Sequence, residues 1–205
     1  MARKKVSAAL RDFEREINSL IDLDRSNQKR EKISNRQLKF LTEGVFLAGF
    51  RAFENYVEEI FILYTLGKAS ISGRTVRSYL RPKNLNHSRD LLKSTMQFLD
   101  WSSADVVIDR SERCLQDGSP IYTGLSIRRR ELLDMKTIRN QIAHNSLESH
   151  QKYQQMLLRL YGTIPLRYQQ PGDHLLKIVN GINPPRHYLC HYLNILQNVG
   201  RFIAY

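Results

Sequence analysis

Apolar residues that return every three or four positions constrain this chain more than any other feature of its sequence. Val6, Leu10, Phe13, Ile17 and Leu20 keep that step and mark an amphipathic helix within residues 1–30. A polar stretch from Arg25 to Arg36 interrupts it, and Ser34 or Asn35 is placed to cap a second helix. Leu38, Leu41, Val45, Ala52, Tyr56, Ile60 and Leu63 hold the helical step over a long segment, which Gly67 is placed to stop. Ser88 then reads as the cap of a short helix through Leu92, Met96 and Leu99. Ser103 reads as the cap of another, running towards Gln116 and stopped by Asp117-Gly118. A further helix is expected from near Ser126 through Leu132, Ile138 and Ile142. The next carries Tyr153, Met156 and Leu160 and ends at Gly162. Asp173 suits the cap of a short turn, and Pro185 suits the first position of a terminal helix through Leu189, Leu196 and Ile203.

No strand alternation, repeat or low-complexity tract accompanies this pattern. The expected fold is therefore an all-α bundle with a long second helix and extra C-terminal helices over residues 171–205. With 205 residues the chain is long enough to bury a core and suits a single domain spanning 1–205. Cys114 and Cys190 stand far apart in no paired motif, which excludes a disulfide framework and a four-cysteine zinc site and fits a reducing compartment. No apolar run is long enough for a membrane helix. The basic start is soon interrupted by Arg11, Asp12, Glu14 and Arg15, unlike a signal peptide. The expectation is a soluble, cytoplasmic protein.

The charge balance adds a functional hint. Lysine and arginine total 32 against 20 acidic residues, a formal net charge of +12. Such an excess favours polyanions, nucleic acid ahead of an anionic membrane. From Phe61 to Arg89 there is no acidic residue, while Arg74, Arg77, Arg81 and Lys83 fall there with Tyr79 among them. Gly73 and Pro82 make residues 68–89 a basic, loop-rich connection, either an RNA contact with Tyr79 as a stacking surface or a plain basic loop. Arg128, Arg129 and Arg130 precede His144 on the expected helix and either grip RNA phosphates or form a solvated face.

The most informative segment is Thr137-Ile138-Arg139-Asn140-Gln141-Ile142-Ala143-His144-Asn145. Cleavage of RNA by its own 2′-hydroxyl needs a proton acceptor, a proton donor and positive charge beside the crowded phosphate. Histidine can do the proton work near neutrality, and arginine holds phosphate with a planar fork, so the scheme needs no metal or cofactor. A step of five leaves Arg139 and His144 about 140° apart on an ideal helix, so they converge only if the helix loosens or the cleft is shared between two subunits. Asn140 lies four before His144, on the same face, able to bond the imidazole. On the long helix Glu54 falls within the stripe of Phe46, Phe50, Val57 and Phe61. A carboxylate there is costly unless paired, with Arg139 or His144 as candidate partners; otherwise it lies at the stripe's edge, in water beside Arg51.

Arg139-Asn140-x-x-Ala143-His144 resembles the Arg-x4-6-His signature of HEPN domains, the helical ribonuclease superfamily of prokaryotic toxins and defence systems. Gly49-Phe50-Arg51-Ala52-Phe53-Glu54-Asn55-Tyr56-Val57 is similar to the Phe-Glu helix of the RiboL-PSP and MAE-type HEPN families. Pro171-Gly172-Asp173-His174-Leu175, followed by a terminal helix, is similar to them too. The resemblance implies a homodimer or HEPN heterodimer whose two motifs line one cleft, cutting RNA without metal to leave a 2′,3′-cyclic phosphate. It implies His144 as acid/base, Arg139 on the pentavalent phosphate, Asn140 as an auxiliary polar group and Glu54 orienting the pair. An antitoxin or antiviral-defence partner protein is a further implication. Ser146 stands where many relatives paired with a nucleotidyltransferase antitoxin carry a tyrosine, so regulation through that side chain is not expected. Some HEPN domains are non-catalytic, which leaves an alternative: a module that binds RNA or pairs with another HEPN subunit. His187, Cys190 and His191 have a spacing that can bind zinc but lack further ligands nearby, and no metal is expected there.

Overall fold

The computed structural model describes residues 4–97, 99–116, 119–163 and 169–205. Among them are nine helices: α1 (Val6–Gln28), α2 (Asn35–Thr65), α3 (Leu85–Lys93), α4 (Ala104–Cys114), α5 (Ser119–Ile127), α6 (Arg129–His144), α7 (Leu147–Tyr161), α8 (Pro171–Leu175) and α9 (Tyr188–Ala204). The all-α expectation holds; the only extended pairings among the described residues are isolated bridges such as Ser78 with Leu115.

The 31-residue α2 is the axis of the molecule. A capping box starts it: Ser34 Oγ accepts from Gln37 N at 3.2 Å while Ser34 N donates to Gln37 Oε1 at 3.0 Å. α1 runs antiparallel beside it, so Lys4 reaches Glu59 and the Phe13 ring stacks on Tyr56 at 4.5 Å. α9 fills the groove these two leave. Tyr56 donates to the Gly200 carbonyl at 2.8 Å and Tyr64 to that of Ile203 at 2.6 Å, so both buried hydroxyls are satisfied inside the core. Ile17, Ile60, Phe61, Leu189 and Ile203 are among the fully buried members of the apolar cluster.

Several expected boundaries move. The polar residues from Arg25 do not end α1, which continues to Gln28 and buries Asp24 and Asn27. Asn84, not Ser88, caps α3, accepting from His87 N at 2.9 Å. Ser88 is instead buried and shares a 2.6 Å hydrogen bond with Thr65. α3 stops at Lys93, so Met96 and Leu99 lie beyond it. α4 ends at Cys114, and the stop expected at Asp117-Gly118 lies outside the described residues. The helix expected from Ser126 is two helices broken at Arg128. Gln170, rather than Asp173, precedes α8, with Asp173 Oδ2 accepting from Gln170 N at 3.2 Å. Pro185 precedes α9 by more than the expected margin, because His187 holds the N-cap position. Gly162 does end α7, in the left-handed region that glycine adopts without strain.

Candidate active site

α6 packs beside α2 and carries Lys136, Arg139, Asn140 and Ala143 on one face by steps of three and four. His144 is its last helical residue, and Asn145 follows in the left-handed conformation with φ of 44°. A lock holds this end. Gln141 Nε2 donates to Asn145 Oδ1, and Ser149 Oγ donates to Gln141 Oε1, both at 2.9 Å. Ser146 opens α7 directly, accepting from Ser149 N at 3.2 Å. Gln141 is 2% exposed, so the two helices meet at a corner fixed by buried amide chemistry.

α6 stays helical through His144, so no loosening brings Arg139 and His144 together. The guanidinium reaches along the helix end, and Arg139 Nη1 lies 3.4 Å from His144 Nε2. The same nitrogen donates to Asn140 Oδ1 at 3.1 Å. Asn140 therefore orients the guanidinium and not the imidazole. His144 and Ala143 are exposed, whereas Arg139 and Asn140 are half-buried against α2.

Glu54 faces them from α2. Its Oε1 is buried and has no hydrogen-bond partner among the described residues. Burial pushes the Glu54 carboxyl above the usual carboxylate range; the Arg139 charge opposes this and Asp100 reinforces it. Glu54 and Arg139 together line two clefts. One, of about 420 Å³, lies between Gly44, Leu47, Ala48 and Ala143. The other, of about 460 Å³, is polar and lined by Asn55, Glu58, Asp100, Trp101, Lys136 and Asn140. In it Lys136 Nζ donates to Asp100 Oδ2 at 2.7 Å. Burial opposes ionisation of Asp100, but the hydrogen bonds from Lys136 and Ser102 outweigh it and hold the carboxyl below its ordinary range.

The four expected site residues, Arg139, Asn140, His144 and Glu54, are thus brought to one place. The other basic candidates are not. Arg128 pairs with Glu131 at 2.9 Å and Arg129 with Asp105 at 2.6 Å, near the start of α6, ~22 Å of helix away from His144. Arg130 is exposed beside them. Arg74, Arg77 and Arg81 are exposed on the connection before α3 and line neither cleft, while Lys83 lines a neighbouring groove. The His187–His191 pair is otherwise engaged: His187 Nδ1 bonds the Leu176 carbonyl and the His191 ring lies against Tyr192. Among the described residues no group of three or more His, Cys, Asp or Glu side chains is placed to hold a metal ion. No helix among them is long and apolar enough to cross a membrane.

Sequence reasoning missed Lys136, Asp100 and Trp101. Lys136 carried a signal, since it precedes Arg139 by three and Asn140 by four. Asp100 and Trp101 arrive from a loop whose course no periodicity reveals. Comparison with family models, with curated proteins and with solved structures returns no match.

Proposed function

We propose that this protein is a metal-independent endoribonuclease of the HEPN kind, cutting RNA by attack of the 2′-hydroxyl on the adjacent phosphodiester. The observation that carries the reading is the approach of Arg139 Nη1 to within 3.4 Å of His144 Nε2, with Asn140 Oδ1 accepting from the same nitrogen. A guanidinium only donates, so the Nε2 lone pair of His144 faces Arg139, and it becomes available to a proton when the guanidinium turns to the phosphate. In the proposed step His144 takes the 2′-hydroxyl proton and the 2′-oxygen attacks phosphorus. The 5′-oxygen departs with a proton from an acid, leaving a 2′,3′-cyclic phosphate. Arg139 neutralises the charge that builds on the pentavalent phosphate. Glu54 faces Arg139 across the α2–α6 boundary and acts on it through charge alone.

Each protomer offers one such histidine, and the scheme needs a base and an acid. A second copy would supply the other. Phe40 and Leu147, each 75% exposed, support pairing here: Phe40 lies one helical turn before Gly44 of the apolar cleft, and Leu147 three residues after His144. A toxin or antiviral-defence role with an antitoxin or partner protein, in the cytoplasm, rests on the likeness of Arg139-Asn140-x-x-Ala143-His144 to the HEPN signature.

The wild type should cut single-stranded RNA in EDTA, and a 2′-deoxy sugar at the cut should block it. His144→Ala should abolish cutting while binding survives. Tight RNA binding by the wild type with no cutting at any concentration would replace the nuclease with a non-catalytic RNA-binding module. Full specific activity from a diluted monomer would remove the pairing.

A further inference from the structure

The polar cleft beside Arg139 does not end at Lys136. Asn55 and Glu58 of α2, which line it, also line a groove of about 880 Å³ bordered by Lys68, Pro82, Lys83, Leu85 and Arg89. The two spaces share those side chains and lie next to one another along the flank of α2 from Glu54 to Leu66, ~18 Å of helix, and they are taken together as one trough.

Its chemistry is mixed in an ordered way. Of the four carboxylates in it, three are each answered by a cation, Glu58 by Arg89 at 3.0 Å, Glu59 by Lys4 at 2.9 Å and Asp100 by Lys136 at 2.7 Å, while Glu54 has no ion pair among the described residues. Lys68, Lys83 and Arg139 have no such carboxylate among the described residues, and they stand at both ends of the trough. Between the charges lie apolar or π surfaces: Ile62, Leu66, Pro82 and Leu85 in one half, Trp101 in the other. A duplex presents only phosphates and sugars to such a wall. A single strand presents phosphates to the end cations and unstacked bases to the apolar and indole surfaces, with base N–H groups free to meet the carboxylates.

We infer that this trough is a subsite for single-stranded RNA, seating a short unstacked strand on one side of the Arg139–His144 pair. It rests on the nuclease reading only for where the strand ends. Lys68 and Lys83 bind phosphates at the far end, Arg139 at the near end, and Trp101 stacks on a base.

The test uses the full chain carrying His144→Ala, with a ten-nucleotide single-stranded RNA of mixed sequence followed by fluorescence anisotropy over a salt series. Lys68→Gln with Lys83→Gln should weaken binding by more than tenfold and flatten the slope of log K against log salt by about 1.4, the value for two lost phosphates on a single strand. Arg74→Gln with Arg77→Gln changes the net charge equally outside the trough and should leave that slope unaltered. Trp101 is the chain's single tryptophan, so saturating RNA should quench the intrinsic emission. Equal slopes for the two double variants, unchanged emission at saturation, or tighter binding of a duplex of the same sequence would each overturn the subsite. So would an acidic peptide whose binding depends on Lys68 and Lys83 where that of RNA does not. If the His144 protein never cuts RNA but these dependences hold, the nuclease reading falls and the subsite stands. If it cuts and the double variants are alike, the reverse follows.

Discussion

His174 is the group whose protonation this fold most resists. It is fully buried between three tyrosines: Tyr161 Oη lies 2.7 Å from its Nδ1, Tyr192 Oη 3.2 Å from its Nε2, and the Tyr188 ring 4.4 Å from its own. Burial, with the Lys177 ammonium nearby, pushes the imidazole down to about 3. The unfolded chain takes up that proton near pH 6.5. Between those values the unfolded state binds the extra proton, so the stability His174 contributes is present above about pH 6.5 and is lost as the pH falls towards 3. At pH ~5 the loss is about 2 kcal/mol, from roughly 1.5 pH units at ~1.36 kcal/mol each. Urea unfolding of the wild type and of His174→Gln, each at pH ~7 and pH ~5, isolates this contribution from the carboxyl groups that also titrate there. The wild type should lose about 2 kcal/mol more than the variant. Parallel losses would refute the reasoning, and His174→Phe provides the same comparison with the ring volume kept.

Other expectations follow from the same geometry. Arg139→Lys should cut the proposed RNA cleavage at least ~100-fold while leaving the urea midpoint nearly unchanged, because an ammonium is a point charge and cannot hold a phosphate with a planar fork; activity within a few-fold of wild type would remove Arg139 from the chemistry. Glu54→Gln should raise the melting temperature at neutral pH, since burial raises the folded-state pKa of this carboxyl and its ionised form costs stability above the unfolded value; the same change should lower activity. An unchanged melting temperature would show the carboxylate to be adequately solvated. Gly200→Ala would place a Cβ 2.6 Å from Phe13 Cε1 and 3.2 Å from Tyr56 Cε1, an overpacking that should cost about 1–3 kcal/mol by denaturant titration.

The sequence carried the helices whose apolar stripe is long and whose cap is a serine, as in α2. It failed where burial overrode propensity. Asn27 falls in the polar stretch read as an interruption, yet with Asp24 it closes the end of α1 inside the protein. α5 went unseen because Pro120 and Gly124 look like breakers. Yet proline suits a first turn, and a Cβ on Gly124 would stand 2.5 Å from Ile203 Cγ2, so the glycine permits close packing on α9. At the site, residue types and spacing led to Arg139, Asn140, His144 and Glu54, because their chemistry is legible without coordinates. The bond from Arg139 to Asn140 and the Gln141–Ser149 lock were not, since both depend on how α6 ends and α7 begins. The arginine triplet is a different case: its local charge is visible in sequence, while the break at Arg128 that separates α5 from α6 there is not.

The last helix has a consequence for how the molecule is made. Tyr56 and Tyr64 find their acceptors only on α9, and Phe13 and Tyr56 lie against Gly200. Until residues 188–204 leave the ribosome, the paired first helices expose an apolar seam with nothing to seal it. The pairing of α1 with α2 is therefore an incomplete core on its own, and the three helices reach their final packing together, once α9 has docked.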